Sequence, residues 1–275
     1  MELSDSVVDH LRHVAALPDL TGTRYELESE IGRGGMGIVY SARDRDLDRR
    51  VALKVLDVPL SGEAQLIARI EHPAVVPIYE TGTLPDGRTF YAMKLVSGSR
   101  LDGYIDGGAS LAERLRVVRR VGEALAFTHN RGILHRDIKP QNIMVGEFGE
   151  VYVMDWGVEA VAGTPAFRAP EKQLDERSDI YALGALLRFV LPTSAPLALE
   201  AIASKAMRED PPSRYPDAPS MLADIERFEA GFPVEAWSEP WWHRLRRFGQ
   251  RNAVLLLLIA AYAAVKFLLF FLRNL

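Results

Sequence analysis

His135-Arg136-Asp137-Ile138-Lys139-Pro140-Gln141-Asn142 is the stretch on which the reading of this chain turns. It places a carboxylate, a lysine two positions later and a carboxamide five positions later in one short segment. Phosphoryl transfer needs such groups close together. A carboxylate at Asp137 orients a hydroxyl and accepts its proton, Lys139 neutralises a transferring phosphate, and Asn142 offers an oxygen to a metal ion. The segment follows an apolar run of helical character (Val117 to Phe127) and precedes one of strand character (Ile143 to Val145). It therefore reads as a polar loop presented by a rigid scaffold, which is where catalytic groups concentrate.

Working outward from the loop, the chain divides by pattern. Tyr25 to Ile31 and Ile38 to Ala42 read as strands flanking a glycine cluster, and Val51 to Val58 as a third with apolar alternation. Ser61 to Ile70 reads as a short helix. Val75 to Thr81 and Thr89 to Val96 are two further strand-like runs, joined by the turn residues Leu84-Pro85-Asp86-Gly87. From Leu111 onward the pattern is helical, and the join falls near Ser97-Gly98-Ser99. Residues 4–17 form an amphipathic helix by pattern, with Val7, Val8, Leu11, Val14 and Ala15 on one stripe.

Composition bounds the function. The chain has 275 residues, 48% apolar and 25% charged, enough for a substantial core. A net charge of −4 gives no sign of a nucleic-acid partner. The lack of cysteine removes disulfides, zinc–thiolate sites and cysteine nucleophiles, and fits a reducing compartment. No secretory leader is legible at the start.

Three further clusters carry chemistry. Gly32-Arg33-Gly34-Gly35-Met36-Gly37-Ile38-Val39 lets backbone N–H groups approach a phosphate. A strand follows these glycines, which favours a hairpin over a nucleotide rather than the helix of a dinucleotide-binding unit. Lys54, inside the apolar strand Val51-Ala52-Leu53-Lys54, lies 17 residues after Gly37 and can reach the same phosphates. It needs a carboxylate to hold it, and Glu63 is the best candidate, with Glu71 the other acid nearby. Asp155-Trp156-Gly157 follows the strand Val151 to Met154, a good position for an Mg²⁺ ligand, with Asn142 as a second.

The order Gly-rich loop, Val-Ala-Leu-Lys, His-Arg-Asp with Lys-Pro-Gln-Asn, Asp-Trp-Gly and Ala169-Pro170-Glu171 resembles the eukaryotic-like (Hanks-type) protein kinases, and Gly-Arg-Gly-Gly-Met-Gly-Ile-Val-Tyr is similar to their bacterial serine/threonine members. The resemblance covers about residues 25–229. It implies an α+β, bilobal kinase fold, with a β-rich lobe over 25–97 and an α-helical lobe over 98–230. It further implies ATP with Mg²⁺ or Mn²⁺ as cofactors, and proteins bearing Ser or Thr as substrates. The implied roles are Asp137 and Lys139 in catalysis and Asn142 and Asp155 as metal ligands. Ile31, Gly32, Gly34, Gly37, Val39, Ala52, Lys54, Glu63 and Met93 would surround ATP, with Lys94 to Val96 as the hinge. Thr164 would position the substrate. The resemblance also implies that the Asp of Ser178-Asp179-Ile180 steadies the catalytic loop, and that Arg214 pairs with Glu171.

Four departures stand out. Trp156 occupies a position where the family usually has Phe. Only nine positions separate Lys54 from Glu63, which implies a shortened regulatory helix. The segment Val158 to Arg168 has 11 residues and one hydroxyl, Thr164, so an ordinary activation-loop phosphosite is missing, and Glu159 is expected to supply a standing negative charge. The run Leu186 to Leu191 passes through a Pro-rich loop almost directly into Leu197 to Met207, where the family usually has a substrate-docking helix. These departures leave a second reading open, a weak or inactive kinase-fold scaffold that binds nucleotide.

Residues 253–272 contain 13 uncharged residues, Ala253 to Val265, before Lys266. Twenty helical residues span about 30 Å, the bilayer core. The preceding segment, 231–252, carries Arg244, Arg246, Arg247 and Arg251 together with Trp237, Trp241 and Trp242, which favours a cytoplasmic flank and an interfacial belt. The expectation is a single-pass tail anchor in a bacterial inner membrane, with 1–24 as a helical extension and the kinase domain in the cytoplasm. A buried C-terminal helix is the alternative. A homodimer is compatible with confinement to a membrane, although no interface is legible.

Overall fold

The computed structural model describes residues 17–34, 37–56, 70–156, 165–238, 240 and 252–273. Nearly all of the expected helix over 4–17 and of Ser61 to Ile70, with Glu63, and the segment holding Glu159 and Thr164 lie outside these residues.

Five antiparallel strands form the first part: β1 (Tyr25–Gly34), β2 (Gly37–Asp44), β3 (Arg49–Leu56), β4 (Ile78–Thr83) and β5 (Thr89–Lys94), in the order β1-β2-β3-β5-β4. β3 lies at the centre, and Val51 to Leu56 are all buried. Because side chains alternate along a strand, Val51, Leu53 and Val55 join Tyr25, Tyr40 and Phe90 on one face of the sheet. Ala52 and Leu56 join Tyr91 and Met93 on the other. Lys54 shares this second parity, and the alternation delivers it to the inner face.

The expected strand Val75 to Thr81 begins only at Ile78. Pro77 has no N–H to give a ladder, and the residues before it bond elsewhere. Val153 N donates to Ala74 O at 2.7 Å, and Val75 forms an isolated parallel bridge with Val153. This segment thus ties the sheet to the second part. The expected strand Thr89 to Val96 ends at Lys94, short of the crossing.

The second part contains β6 (Gly98–Arg100), α1 (Leu101–Asp106), α2 (Leu111–His129), β7 (Ile143–Gly146), β8 (Val151–Val153), α3 (Glu176–Val190), α4 (Leu197–Ala206) and α5 (Ala218–Glu229). Strands β6, β7 and β8 form a small antiparallel sheet. Helix α2 starts with a capping box: Ser110 Oγ accepts from Glu113 N, and Glu113 Oε2 accepts from Ser110 N at 2.8 Å. Its stripe of Val117, Val118, Val121, Ala124 and Leu125 is fully buried and packs with Ile180, Leu183, Leu186 and Leu187 of α3. Each such Val, Leu or Ile side chain contributes about 1.5–3 kcal/mol on burial. The result is a rigid helical block beneath the small sheet.

A final helix, α6, runs over Ala253–Arg273. Its described side chains are strongly exposed, with Leu257 at 69%, Tyr262 at 65% and Phe270 at 68%. These side chains cover 256–266 and 269–270, and among the described residues no helix is long and apolar enough to cross a membrane.

Candidate active site

The loop His135 to Asn142 hangs between α2 and β7 and is held from below. Asp179, at the start of α3, is buried, and its carboxylate is fully engaged. Oδ2 accepts from His135 N and from His129 Nε2, and Oδ1 accepts from Arg136 N, all at 2.8 Å. The expected role of Asp179 as the loop's clamp is met by this geometry. The buried imidazole of His129 is an addition that sequence reasoning missed; it is the last residue of α2, and nothing local marks it.

His135 is a second internal brace. Its Nδ1 accepts from Asp137 N at 3.2 Å, so Nε2 carries the proton and donates to Met154 O at 3.0 Å. Burial pushes its pKa down, which keeps the ring neutral and this tautomer in place. The ring packs against the buried indole of Trp156 at 4.5 Å, and the indole N–H donates to Val153 O. The His135 to Asn142 loop and the Asp155 segment are thereby joined through two aromatic rings.

Within the loop, Asp137 gathers the polar groups around it. Asn142 Nδ2 donates to Asp137 O at 2.8 Å and to Asp137 Oδ2 at 2.9 Å. Lys139 Nζ lies 2.6 Å from the same Oδ2. Asn142 is buried, and both its N–H bonds are used on Asp137, which leaves Oδ1 without a protein donor among the described residues. That oxygen and the Asp155 carboxylate are hard donors of the kind Mg²⁺ or Mn²⁺ takes. Among the described residues no three His, Cys, Asp or Glu side chains cluster to form a metal cage.

Lys54 forms an ion pair with Asp155 across the gap between the two parts. The sequence-based expectation gave this lysine Glu63, which lies outside the described residues. Burial acts to lower the Lys54 pKa, but neighbouring charge wins and raises it. The Tyr91 hydroxyl beside it is pushed up to about 12, chiefly by burial, and is neutral at pH 7. Asp155 is therefore the anion that holds Lys54 charged. No sequence signal could have found a pair 101 residues apart.

Above these groups lies the β1–β2 hairpin. Gly37 has φ 146°, and a Cβ there would stand 2.0 Å from Val55 O, so the fold itself demands glycine. Gly32 and Gly34 differ: a Cβ on Gly34 meets nothing within 4 Å, and one on Gly32 meets only Arg100 Nη2 at 4.0 Å. Their bare backbone leaves room for a ligand rather than for protein. Gly35 and Met36 lie outside the described residues.

Val39, Ala52 and Met93 fall in one apolar cluster with Val76, Tyr91, Tyr152, Leu95, Val96 and Met154. Ile31 does not join it and is 46% exposed at the edge. Lys94 reaches Tyr152 on β8 in a bond that sequence reasoning missed.

Further from the loop, Arg214 makes the expected pair with Glu171. Nη1 and Nη2 donate to its two carboxylate oxygens at 2.7 and 2.8 Å. The guanidinium holds the Glu171 carboxyl below its ordinary range.

The chain matches the family model described as protein kinase domain over residues 25–213. A probable serine/threonine-protein kinase of Streptomyces coelicolor, SCO3848, is 33% identical over 285 residues, covering 80% of this chain and 42% of the relative. The serine/threonine-protein kinase PknB of Mycobacterium tuberculosis is 33% identical over 281 residues, covering 80% and 45%. The DNA damage-responsive serine/threonine-protein kinase RqkA of Deinococcus radiodurans is 38% identical over 206 residues, covering 64% and 31%. The chain thus spans less than half the length of these curated relatives. Among solved structures, the M. tuberculosis PknI kinase domain superposes with a TM-score of 0.61 at 25% identity, covering 76% of this chain and 96% of that domain.

Proposed function

Because this chain belongs to the protein kinase family, we propose that it is a serine/threonine protein kinase transferring the γ-phosphate of ATP to protein hydroxyls. The observation that carries the reading is the intact set around Asp137, with its oxygen shared by Lys139 and Asn142 and its loop clamped by Asp179.

In this reading Asp137 orients the substrate hydroxyl and takes its proton as the oxygen attacks the γ-phosphorus. The bond to the β-phosphate oxygen breaks, and ADP leaves with that electron pair. Lys139 exchanges its contact with Asp137 for one with the transferring phosphoryl group, whose charge it offsets. Lys54 grips the other phosphates, and the hairpin with Gly32, Gly34 and Gly37 covers them. Val39, Ala52 and Met93 form the apolar seat for adenine, with Ile31 at its edge. Asn142 and Asp155 would hold Mg²⁺ or Mn²⁺, which when bound neutralises phosphate charge. Glu63 as a further partner of Lys54 and Thr164 as a substrate-positioning hydroxyl complete the proposed set.

The test is transfer of labelled γ-phosphate by the whole chain with Mg²⁺, against Asp137→Asn. We expect the variant to lose about 10²–10⁴-fold in rate while still binding ATP. Equal rates in the two proteins would end the kinase reading. A scaffold role has one observation in its favour: α3 ends at Val190 and α4 starts at Leu197, with no further helix between them to dock a protein.

The proposal includes anchoring of the chain to a bacterial inner membrane through 253–272, with the kinase domain on the cytoplasmic side. The support is the uncharged run Ala253 to Val265 behind a segment rich in Arg and Trp, together with the exposure of described apolar side chains there such as Leu257 and Phe270. Apolar surface on this scale is rare in water.

A further inference from the structure

The chain passes from the five-stranded sheet to the helical part between Lys94, the last residue of β5, and Gly98, the first of β6. One side-chain contact spans that crossing. Lys94 Nζ donates to the hydroxyl of Tyr152 on β8 and lies 4.5 Å from the centre of its ring. The backbone closes a circuit around the same point. Lys94 N donates to Pro77 O at 3.1 Å, Val76 N to Val153 O at 3.5 Å, and Val153 N to Ala74 O at 2.7 Å. Residues 74–77 therefore hold β5 on one side and β8 on the other, and the Lys94 side chain completes the ring through Tyr152.

Tyr152 stands where it matters for a nucleotide. Alternation along β8 turns Val151 and Val153 into the helical block and Tyr152 the other way, into the apolar cluster of Ala52 and Met93. Its ring is buried, and only its hydroxyl extends to Lys94. β8 then leads through Met154 to Asp155.

We propose that Lys94 and Tyr152 are positioning residues for ATP, whose bond fixes how far the adenine end of the cleft opens and so how the apolar seat stands to Asp155. The proposal rests on the kinase reading above. β5 and β8 lie in different sheets, so no ladder of hydrogen bonds sets their separation. The Lys94 side chain links them directly, and a charged donor makes the stronger kind of hydrogen bond. A contact that bridges two separately packed parts favours one arrangement of them more than it stabilises either part. Its loss therefore shows first in the binding of a ligand that needs that arrangement.

The test uses the whole chain, with Tyr152→Phe, Lys94→Met, the double variant and Lys94→Arg. Tyr152→Phe keeps the ring in the core and removes only the hydroxyl. ATP affinity is measured twice, as a dissociation constant by calorimetry and as KM in the transfer assay. We expect both constants to rise about fivefold in Tyr152→Phe and in Lys94→Met, with kcat within about twofold of wild type and the unfolding midpoint nearly unchanged. The double variant should bind ATP no more weakly than Lys94→Met, because the hydroxyl then has no lysine left to hold. Lys94→Arg keeps a charged donor and should stay near wild type. Amide exchange over 95–98 should quicken in Tyr152→Phe while that of α2 is unmoved. An unchanged dissociation constant in Tyr152→Phe overturns the proposal. So does a double variant in which the two losses multiply, or a fall in unfolding midpoint and kcat with no selective change in ATP affinity, the mark of a merely structural pair. A wild type that binds ATP and transfers no phosphate ends the kinase reading, and the dissociation constants still decide the pair. A wild type that binds no ATP overturns both.

Discussion

Arg136 and Asp155 are non-glycine residues held at φ 68° and 58°. Left-handed backbone costs such residues on the order of 1–3 kcal/mol each and persists only where the surroundings over-determine it. Here Asp179 fixes the Arg136 N–H and Lys54 fixes the Asp155 side chain. His135, between them in space, gives a pH prediction. Burial depresses its folded pKa, whereas the unfolded chain takes a proton near pH 6.5. Below that value the unfolded state binds more protons, so stability is fully present above about pH 6.5 and is lost as pH falls towards the folded pKa. A proton on Nδ1 would also face the Asp137 N–H that it now accepts. Unfolding free energy measured from pH 7 to 5 should therefore decline, and His135→Leu should show a lower stability with a shallower slope. His72, also depressed by burial, supplies part of the remaining slope. An unchanged slope in His135→Leu would remove His135 from this account.

Among the elements, the loop before α3 and the loop after α4 are joined by one buried pair. Arg214 has no exposed side-chain surface and, besides Glu171, donates to the carbonyls of Arg208, Glu209 and Arg177. Glu171→Ala leaves that guanidinium buried without its counter-charge, and we expect a loss of about 3–5 kcal/mol in denaturant unfolding. Adding Arg214→Met should recover part of it, because the uncompensated charge is removed along with its partner. If the double variant is as unstable as the sum of the single ones, the pair is not a coupled unit. The elements themselves were largely legible: apolar alternation marked β3, Thr89 to Val96 read as the run that holds β5, and the helical pattern from Leu111 marked α2. Val75 was misread as strand because pattern shows that a residue is extended and apolar, not which sheet it bonds to.

At the scale of the whole molecule, the five-stranded sheet sits on the helical block, and the segment after α5 is fastened to that block. Asp224 in α5 is buried and accepts from Tyr215 Oη and from the N–H groups of Glu235 and Ala236, which fastens the segment leading towards α6. Ending the chain after Asn252 should leave the sheet and the helical block folded. We expect it to move from the membrane pellet to the soluble fraction, with the unfolding midpoint nearly unchanged. Recovery of the full chain in the soluble fraction without detergent would refute the anchor.

The sequence by itself determined the groups of the candidate site and their order, because that loop is short and its polar groups Asp137, Lys139 and Asn142 lie within six residues. It also determined most of the strands and helices described, β6 and α1 excepted, since periodicity is a local property. Only the tertiary structure decided the pairings between distant segments: Lys54 with Asp155, His129 with Asp179, and Lys94 with Tyr152. Contacts of that kind depend on how packed faces bring segments together, and a buried charge takes whichever partner the packing sets beside it.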